Sequence, residues 1–118
     1  MSPTLASLAN QHCKPRKGSE HALGRPESEQ RLVLLPGWAL SEEADRISKD
    51  FRFRDFHRTM AFVNAVAWIA HAEDHHPDME IGYGHCLVRL NTHDVGGLSE
   101  NDFICAAKIE ALHPDRAP

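Results

Sequence analysis

Apolar and polar positions divide the middle of the chain into a strand and a long helix. Residues 49–54 alternate, with two phenylalanines facing one way and two arginines the other, which predicts a half-buried strand. From Phe56 to Ala70, apolar residues recur at spacings of three and four, which predicts a helix lying across a sheet. Asp55 can cap this helix, and we expect it to end near residues 72–74 because Pro77 disfavours helical backbone in the residue before it.

Shorter patterns on both sides supply the other elements. The segment 42–47 fits a hairpin turn and a helical turn equally well, and it stays open between them. The remaining predicted elements are a helix at 27–35, which ends at Pro36-Gly37, and strands at 38–40, 79–83 and 86–92.

The last predicted helix, residues 100–112, begins with a capping box that runs from Ser99 to Asp102. Its side chains are apolar almost all round. One sheet cannot cover every face of such a helix, so we expect it also to contact another subunit.

The element order α-β-β-α-β-β-α predicts an α+β fold with an antiparallel sheet covered by helices, because strands and helices do not alternate singly. Residues 27–118 are expected to form a single domain. Residues 1–26 are polar, lack periodicity and contain three prolines and two glycines, so we interpret them as a flexible N-terminal arm. The arm carries a basic patch at Lys14, Arg16 and Lys17, which is interpreted as a solvated surface.

Composition narrows the class of protein. The chain has 118 residues and a formal net charge of −4, which gives no electrostatic case for binding nucleic acid. It has neither an apolar run of membrane-spanning length nor the start of a secretory signal, so a cytoplasmic protein is predicted. Its three cysteines show no paired spacing, and we interpret them as reduced thiols, with Cys86 and Cys105 in the core.

Histidine is the unusual residue type. Five of the nine histidines lie between His71 and His93. His71 and His75 share a helix face, but the acid that a zinc-protease helix needs directly after the first histidine is absent. A metal site using His75, His76 or His93 is still geometrically possible, although no metal is the preferred interpretation. Surface histidines that complement the helix dipole are the simpler alternative.

Acid–base chemistry is the third alternative for this cluster. An imidazole exchanges protons near neutral pH, and two separately placed imidazoles could protonate a leaving hydroxyl and remove a proton from nitrogen. A dehydration needs this pair of steps. No nucleophile elbow or phosphate-binding glycine loop is present in the sequence.

The ordered motifs resemble those of the pterin-4a-carbinolamine dehydratases. The resemblance covers roughly residues 30–112. It is carried by His71, His75-His76-Pro77, Tyr83, Thr92-His93 and Asp102, together with the stretches 35–38, 51–56, 62–64 and 97–104.

This resemblance implies a four-stranded antiparallel sheet with helices on one side, assembled as a homodimer or homotetramer. It implies dehydration of 4a-hydroxytetrahydrobiopterin to the quinonoid dihydropterin, which recycles the cofactor of aromatic amino acid hydroxylases. The pterin is then the substrate, and no other cofactor is implied. His75 and His93 would be the acid–base pair, with His76 shaping the catalytic site. The substrate-binding residues would be Asp102, Trp38, His71 and Pro77.

Simpler roles stay open for several of these residues. Asp102 could be only a capping residue, or it could also orient a histidine or bind a pterin nitrogen. Trp38 and Tyr83 could be core aromatics, and His71 stands where many family members have glutamate. A non-catalytic scaffold is the alternative function, either as a Rubisco or carboxysome assembly factor or as a dimerisation cofactor of a transcription factor. Retention of His75, His76 and His93 favours catalysis.

Overall fold

A computed structural model describes residues 4–112 of the chain. Its centre is a four-stranded, fully antiparallel sheet in the order β1-β2-β4-β3. The two central strands pair along their whole length, from Ile47 opposite Leu90 to Arg52 opposite His85. The strands are β1 (Ala39–Leu40), β2 (Ile47–Arg52), β3 (Asp78–Ile81) and β4 (His85–Leu90). The predicted α+β class and antiparallel sheet are confirmed.

In the described part of the chain, four helices accompany the sheet: α1 (Leu5–Ala9), α2 (Arg25–Leu32), α3 (Phe56–Glu73) and α4 (Glu100–Glu110). Short 3₁₀ turns occupy Ser19–His21 and His93–Val95. Along β4, buried and half-buried positions alternate, so that Cys86, Val88 and Leu90 face the core. No helix within residues 4–112 is both long and apolar enough to cross a bilayer.

Helix α3 begins as predicted but ends for a different reason. The Asp55 carboxylate accepts a hydrogen bond from the backbone N–H of Arg58 at 2.9 Å, which caps the first turn. At the other end Asp74 adopts the left-handed conformation, with φ of 52°. The backbone N–H of His75 then donates to the carbonyl of Ala70 at 3.2 Å, a closure typical of helix C-termini. The helix therefore ends at Glu73, four residues before Pro77, at a turn that fixes the backbone of His75.

The interpretation of the N-terminal region as an arm needs correction over residues 4–26. Thr4 and Ser7 form a capping box at the start of α1, and Leu8 is buried in the main core. The Lys108 ammonium donates to the carbonyl of Ala9 at 2.7 Å, which ties the end of α1 to α4. A helix of five residues is too short for periodicity to reveal, and tertiary contacts stabilise it.

The apolar surface of α4 is covered within this chain, and the expectation that α4 also contacts another subunit stays a prediction. Nine of its residues are buried within this single chain. The sheet and α3 cover part of α4, and α1 covers the face that the sequence left without a partner. The surplus apolar surface of α4 therefore indicates an intramolecular contact with the N-terminal region.

Residues 41–46 form a turn, which settles the ambiguous segment. The Ser41 hydroxyl accepts hydrogen bonds from the backbone N–H groups of Asp45 and Arg46, both at 3.1 Å. Ala44 takes a left-handed conformation with φ of 58°. A hairpin turn, rather than a helical turn, therefore connects β1 to β2.

Candidate functional site

A buried carboxylate lies at the centre of the candidate site. Asp102 in the first turn of α4 is fully buried, and three groups donate hydrogen bonds to it. Its Oδ1 accepts from His75 Nε2 at 2.6 Å, and its Oδ2 accepts from the Thr92 hydroxyl at 2.7 Å and from the Ser99 backbone N–H at 2.9 Å. A buried carboxylate is costly unless its oxygens are hydrogen-bonded, and here both are.

Asp102 is both a capping residue and a histidine partner. The bond from the Ser99 N–H is half of the capping box that starts α4. The bond from His75 is a contact across 27 residues of sequence. The two interpretations that the sequence left open for Asp102, capping and orienting a histidine, therefore apply together.

The hydrogen bond to Asp102 defines the tautomer of His75. An ionised carboxylate can only accept, so Nε2 carries a proton and Nδ1 of the neutral ring is the basic nitrogen. The ring is held firmly, since only 11% of the side chain is exposed. This arrangement leaves one imidazole nitrogen to exchange a proton with a bound molecule.

A cavity of about 510 Å³ opens beside His75. This volume falls within the range of roughly 300–1,000 Å³ found for small-molecule sites. Three parts of the chain line the cavity: residues 13–17, residues 72–75 at the end of α3, and the group Thr92, Asp94 and Asn101. The lining carries charges of both signs, with three cationic and three carboxylate side chains.

Asn101 attaches the N-terminal wall of the cavity to α4. Its side-chain oxygen accepts from the backbone N–H of Lys14 at 3.2 Å and from Arg16 Nε at 3.0 Å. Its amide nitrogen donates to the Lys14 carbonyl at 2.7 Å. Because Asn101 precedes Asp102, the N-terminal wall and the His75 partner share one helical turn.

Glu73 is the second attachment of this wall. Its carboxylate accepts from the backbone N–H of Cys13 at 2.7 Å and from His12 Nδ1 at 3.0 Å. Burial opposes ionisation of Glu73, but the Cys13 N–H, the His12 ring and the nearby Lys108 ammonium outweigh it and lower its pKa. The charged form of Glu73 therefore stabilises the attachment of His12 and Cys13 to the end of α3.

Two thiols meet behind the same wall. Cys13 Sγ lies 3.6 Å from Cys105 Sγ, and no disulfide joins them. The hydrogen bond with Cys13, together with burial, raises the pKa of Cys105 far above its ordinary value. Burial, with a contribution from Asp50, raises the pKa of Cys86 to about 11. Cys105 and Cys86 are therefore neutral packing residues near neutral pH.

The predicted site residues are not all at this cavity. Within residues 4–112, His75 is the one predicted catalytic histidine that lines it. His76 follows directly and is exposed, while His93 is exposed at the start of a 3₁₀ turn between the lining residues Thr92 and Asp94. Both histidines therefore lie close to the cavity in sequence, without forming its wall.

The remaining predicted residues lie farther out. His71 is exposed one turn before the end of α3, with its ring centroid 6.0 Å from that of Trp68. Pro77 is half-buried just ahead of β3 and does not line the cavity.

Trp38 lies in the core instead of bordering the cavity. Its ring meets Phe51 edge-on with centroids 5.9 Å apart, and its indole N–H donates to the buried Glu110 carboxylate at 3.0 Å. Lys49 Nζ approaches the same carboxylate at 2.8 Å. The alternative that Trp38 is a core aromatic describes its position better than substrate contact does.

Sequence reasoning missed the contribution of residues 13–17 to the cavity. This segment gave no periodic signal, and the contacts of residues 13–16 with α4 span 85 to 92 positions of sequence. Asn101 was the available hint, because a buried amide needs hydrogen-bond partners. Within residues 4–112, no group of three or more histidine, cysteine, aspartate or glutamate side chains is arranged to hold a metal ion.

Comparison with known proteins is consistent with this geometry. Residues 21–112 match the family model described as pterin 4 alpha carbinolamine dehydratase. A Stenotrophomonas maltophilia (strain K279a) protein named "Putative pterin-4-alpha-carbinolamine dehydratase" is 59% identical over 108 residues, covering 92% of this chain and 93% of the relative. A protein of the same name from Xanthomonas campestris pv. campestris (strain 8004) is 57% identical over 108 residues, covering 92% of each chain.

Solved structures show the same fold. The crystal structure of a transcriptional coactivator/pterin dehydratase from Brucella melitensis has a TM-score of 0.73 and 32% identity, covering 76% of this chain and 96% of that one. A pterin dehydratase-like RuBisCO assembly factor of the alpha-carboxysome has a TM-score of 0.57 and 22% identity, covering 70% and 93%, a likeness of fold alone. The chain belongs to the pterin-4a-carbinolamine dehydratase family.

Proposed function

We propose that this protein is a dehydratase that converts pterin-4a-carbinolamine, such as 4a-hydroxytetrahydrobiopterin, to quinonoid dihydropterin and water. The observation that carries the proposal is the His75–Asp102 pair on the wall of a cavity of about 510 Å³. Membership of the dehydratase family supports the same reaction.

The reaction breaks the bond between C4a and the hydroxyl oxygen and forms a double bond from C4a to a ring nitrogen. The departing oxygen takes a proton from an acid, and the ring nitrogen gives a proton to a base, so water and a neutral quinonoid product result. No redox change occurs. The chemistry therefore calls for two proton-transfer groups near the same carbon.

His75 is suited to one of these roles because its Nε2 is occupied by Asp102 and its Nδ1 is the free nitrogen. As a base, its ring would become positively charged, and the Asp102 carboxylate 2.6 Å away stabilises that charge. His93, which directly follows the Thr92 that donates to Asp102, is the proposed second group. The exposed His76 would shape and position the pterin at the rim.

In this proposal the pterin is the substrate and no further cofactor takes part. The physiological role is to return a tetrahydropterin cofactor to the hydroxylation of aromatic amino acids. The protein is proposed to act in the cytoplasm as a homodimer or homotetramer. Pro77 and His71 are proposed to contact the substrate at the periphery of the site.

Single-residue variants test the assignment of the histidines. Formation of quinonoid dihydropterin from synthetic carbinolamine is followed for His75→Ala, His76→Ala and His93→Ala beside the wild type. We expect losses of roughly 10²-fold or more in kcat for His75→Ala and His93→Ala, and mainly a raised KM for His76→Ala. If all three variants were as active as the wild type, the histidines would have no role in the mechanism. The proposed dehydration reaction would still stand.

A protein-binding role on the same scaffold is the second candidate. The Brucella melitensis neighbour is described as a coactivator as well as a dehydratase. In the present chain, Val33, Trp68 and Tyr83 are large apolar side chains that are more than two-thirds exposed. A wild-type protein that does not accelerate dehydration would favour this candidate.

A further inference from the structure

A basic segment, Lys14 to Lys17, forms part of the cavity wall although it lies outside the residues that match the family model. Three of its four side chains are cationic. The dehydration chemistry proposed above uses imidazoles and gives these cations no task. Their position beside His75 therefore needs a separate explanation.

Arg16 is the best-placed cation of the basic segment. Its Nε donates to Asn101 Oδ1 at 3.0 Å, and it is half-buried, unlike the exposed Lys14 and Lys17. Within residues 4–112, its two terminal nitrogens have no hydrogen-bond partner. A guanidinium held at Nε with its outer edge unoccupied is arranged to bind an anion through two parallel hydrogen bonds.

The other charges of the cavity leave these cations available. Over the described part of the chain, no carboxylate lies within 4.0 Å of a nitrogen of Lys14, Arg16 or Lys17. Glu73 is occupied by Cys13, His12 and Lys108. The lining carboxylates Asp74 and Asp94 are on other segments, after α3 and after β4. The cavity thus offers cations from one segment and carboxylates from two others.

We propose that the basic segment selects pterins whose side chain ends in an anion, a phosphate ester or a carboxylate, and that Arg16 is its principal contact. A pterin ring presents adjacent amino and ring N–H donors at one edge, which carboxylates can accept, and carries its side chain at the far end. Such a ligand complements both charge types of the cavity. The inference rests on the proposed function, because it names the substrate class of the same site.

Three probes that differ only in the side chain test the proposal by calorimetric titration. They are 6-hydroxymethylpterin, its phosphate ester and 6-carboxypterin. We expect the wild type to bind one or both anionic probes about tenfold more tightly than the neutral one at low salt, as one charge-assisted bidentate contact allows. The preference should shrink as salt is raised. The tighter of the two anionic probes identifies the preferred anion.

Arg16→Gln should abolish the preference, so that this variant binds all three probes with equal affinity, and its circular dichroism spectrum should match that of the wild type. Arg54→Gln removes the same charge from an exposed site outside the cavity and should retain the preference. Equal wild-type affinity for all three probes would overturn the inference. The proposed function would still stand if the protein dehydrates a carbinolamine whose side chain is neutral. A preference that survives in Arg16→Gln would also overturn it. Failure of every probe to bind, with no dehydration, would refute both proposals.

Discussion

His75 Nε2 and Asp102 Oδ1 lie 2.6 Å apart, and this contact joins the end of α3 to the start of α4. The same carboxylate accepts the Ser99 N–H of the capping box. Helix capping and orientation of a candidate catalytic imidazole therefore depend on one side chain. A change at Asp102 should affect both stability and activity, but through different atoms.

Asp102→Asn tests the orientation of His75. An asparagine can still accept from the Ser99 N–H, but its amide nitrogen would face His75 Nε2 and donate to it. His75 would then be forced into the tautomer with the proton on Nδ1, which removes the basic nitrogen. We expect kcat to fall roughly 10²-fold or more with a loss of about 1–3 kcal/mol in unfolding free energy. Turnover and urea unfolding measure the two effects.

Asp55→Asn is the control, since the Asp55 side chain also accepts a backbone N–H at the start of a helix but makes no hydrogen bond to any histidine of residues 4–112. Asparagine is as good an N-cap as aspartate, so stability should change little and kcat should stay within about twofold. Comparable kcat losses in both variants would attribute the Asp102 effect to helix capping alone.

Glu73 should make stability depend on pH in the acidic range. Its folded pKa is lowered from the ordinary value of 4.5, mainly by hydrogen bonds from Cys13 and His12 and by Lys108, against the opposing effect of burial. Its contribution is therefore fully present above about pH 4.5 and is lost as pH falls through the folded pKa. Glu73→Gln should be less stable than the wild type at neutral pH, and the difference should narrow towards pH 3.

Urea unfolding of the wild type, Glu73→Gln and Glu43→Gln at several pH values checks this. Glu43 is exposed in the β1–β2 turn, and its substitution should leave the wild-type pH profile unchanged. A stability difference between the wild type and Glu73→Gln that stays constant from pH 7 to pH 3 would contradict the assigned role of the Glu73 charge.

Trp38→Phe tests the placement of Trp38 in the core. The change removes the N–H donor to the buried Glu110 carboxylate and leaves Lys49 as its partner. We expect a loss of about 1–3 kcal/mol in unfolding free energy, with kcat and KM close to wild type where the variant is folded. Unchanged stability with a strongly raised KM would instead make Trp38 a substrate contact.

The rates at which the three cysteines react with a thiol reagent test how the N-terminal wall of the cavity is attached. Cys86, with a pKa of about 11, and the buried Cys105, with a raised pKa, should resist a thiol reagent in the native protein. Cys13 is half-buried on the cavity wall, so it should react first, and a bound pterin should slow it. Cys13→Ser should abolish the fast phase, and unfolding should expose three thiols in the wild type. A fast phase that persists in Cys13→Ser would refute the assignment.

Local signals predicted most of the fold. Alternation at residues 49–54, the Asp55 cap and the Ser99–Asp102 capping box all correspond to observed elements, because each depends on neighbours within a few positions. The end of α3 was placed well, although the left-handed Asp74 rather than Pro77 terminates it. The position of His75 on the helix-ending turn follows from this local geometry.

Long-range contacts account for what the sequence did not reveal. The hydrogen bonds that Lys14 and Arg16 donate to Asn101, and the approach of Cys13 to Cys105, join residues more than 80 positions apart. A single sequence contains no periodic trace of such contacts. For the same reason the apolar surface of α4 suggested a second subunit, whereas the N-terminal helix α1 covers it.

The most direct test is a stopped-flow measurement of quinonoid dihydropterin formation from synthetic 4a-carbinolamine, with wild-type protein, His75→Ala and buffer alone. The account predicts saturable acceleration by the wild type and a loss of roughly 10²-fold or more in kcat for a folded His75→Ala. A wild-type rate equal to the rate in buffer, with pterin present well above micromolar concentrations, would contradict it.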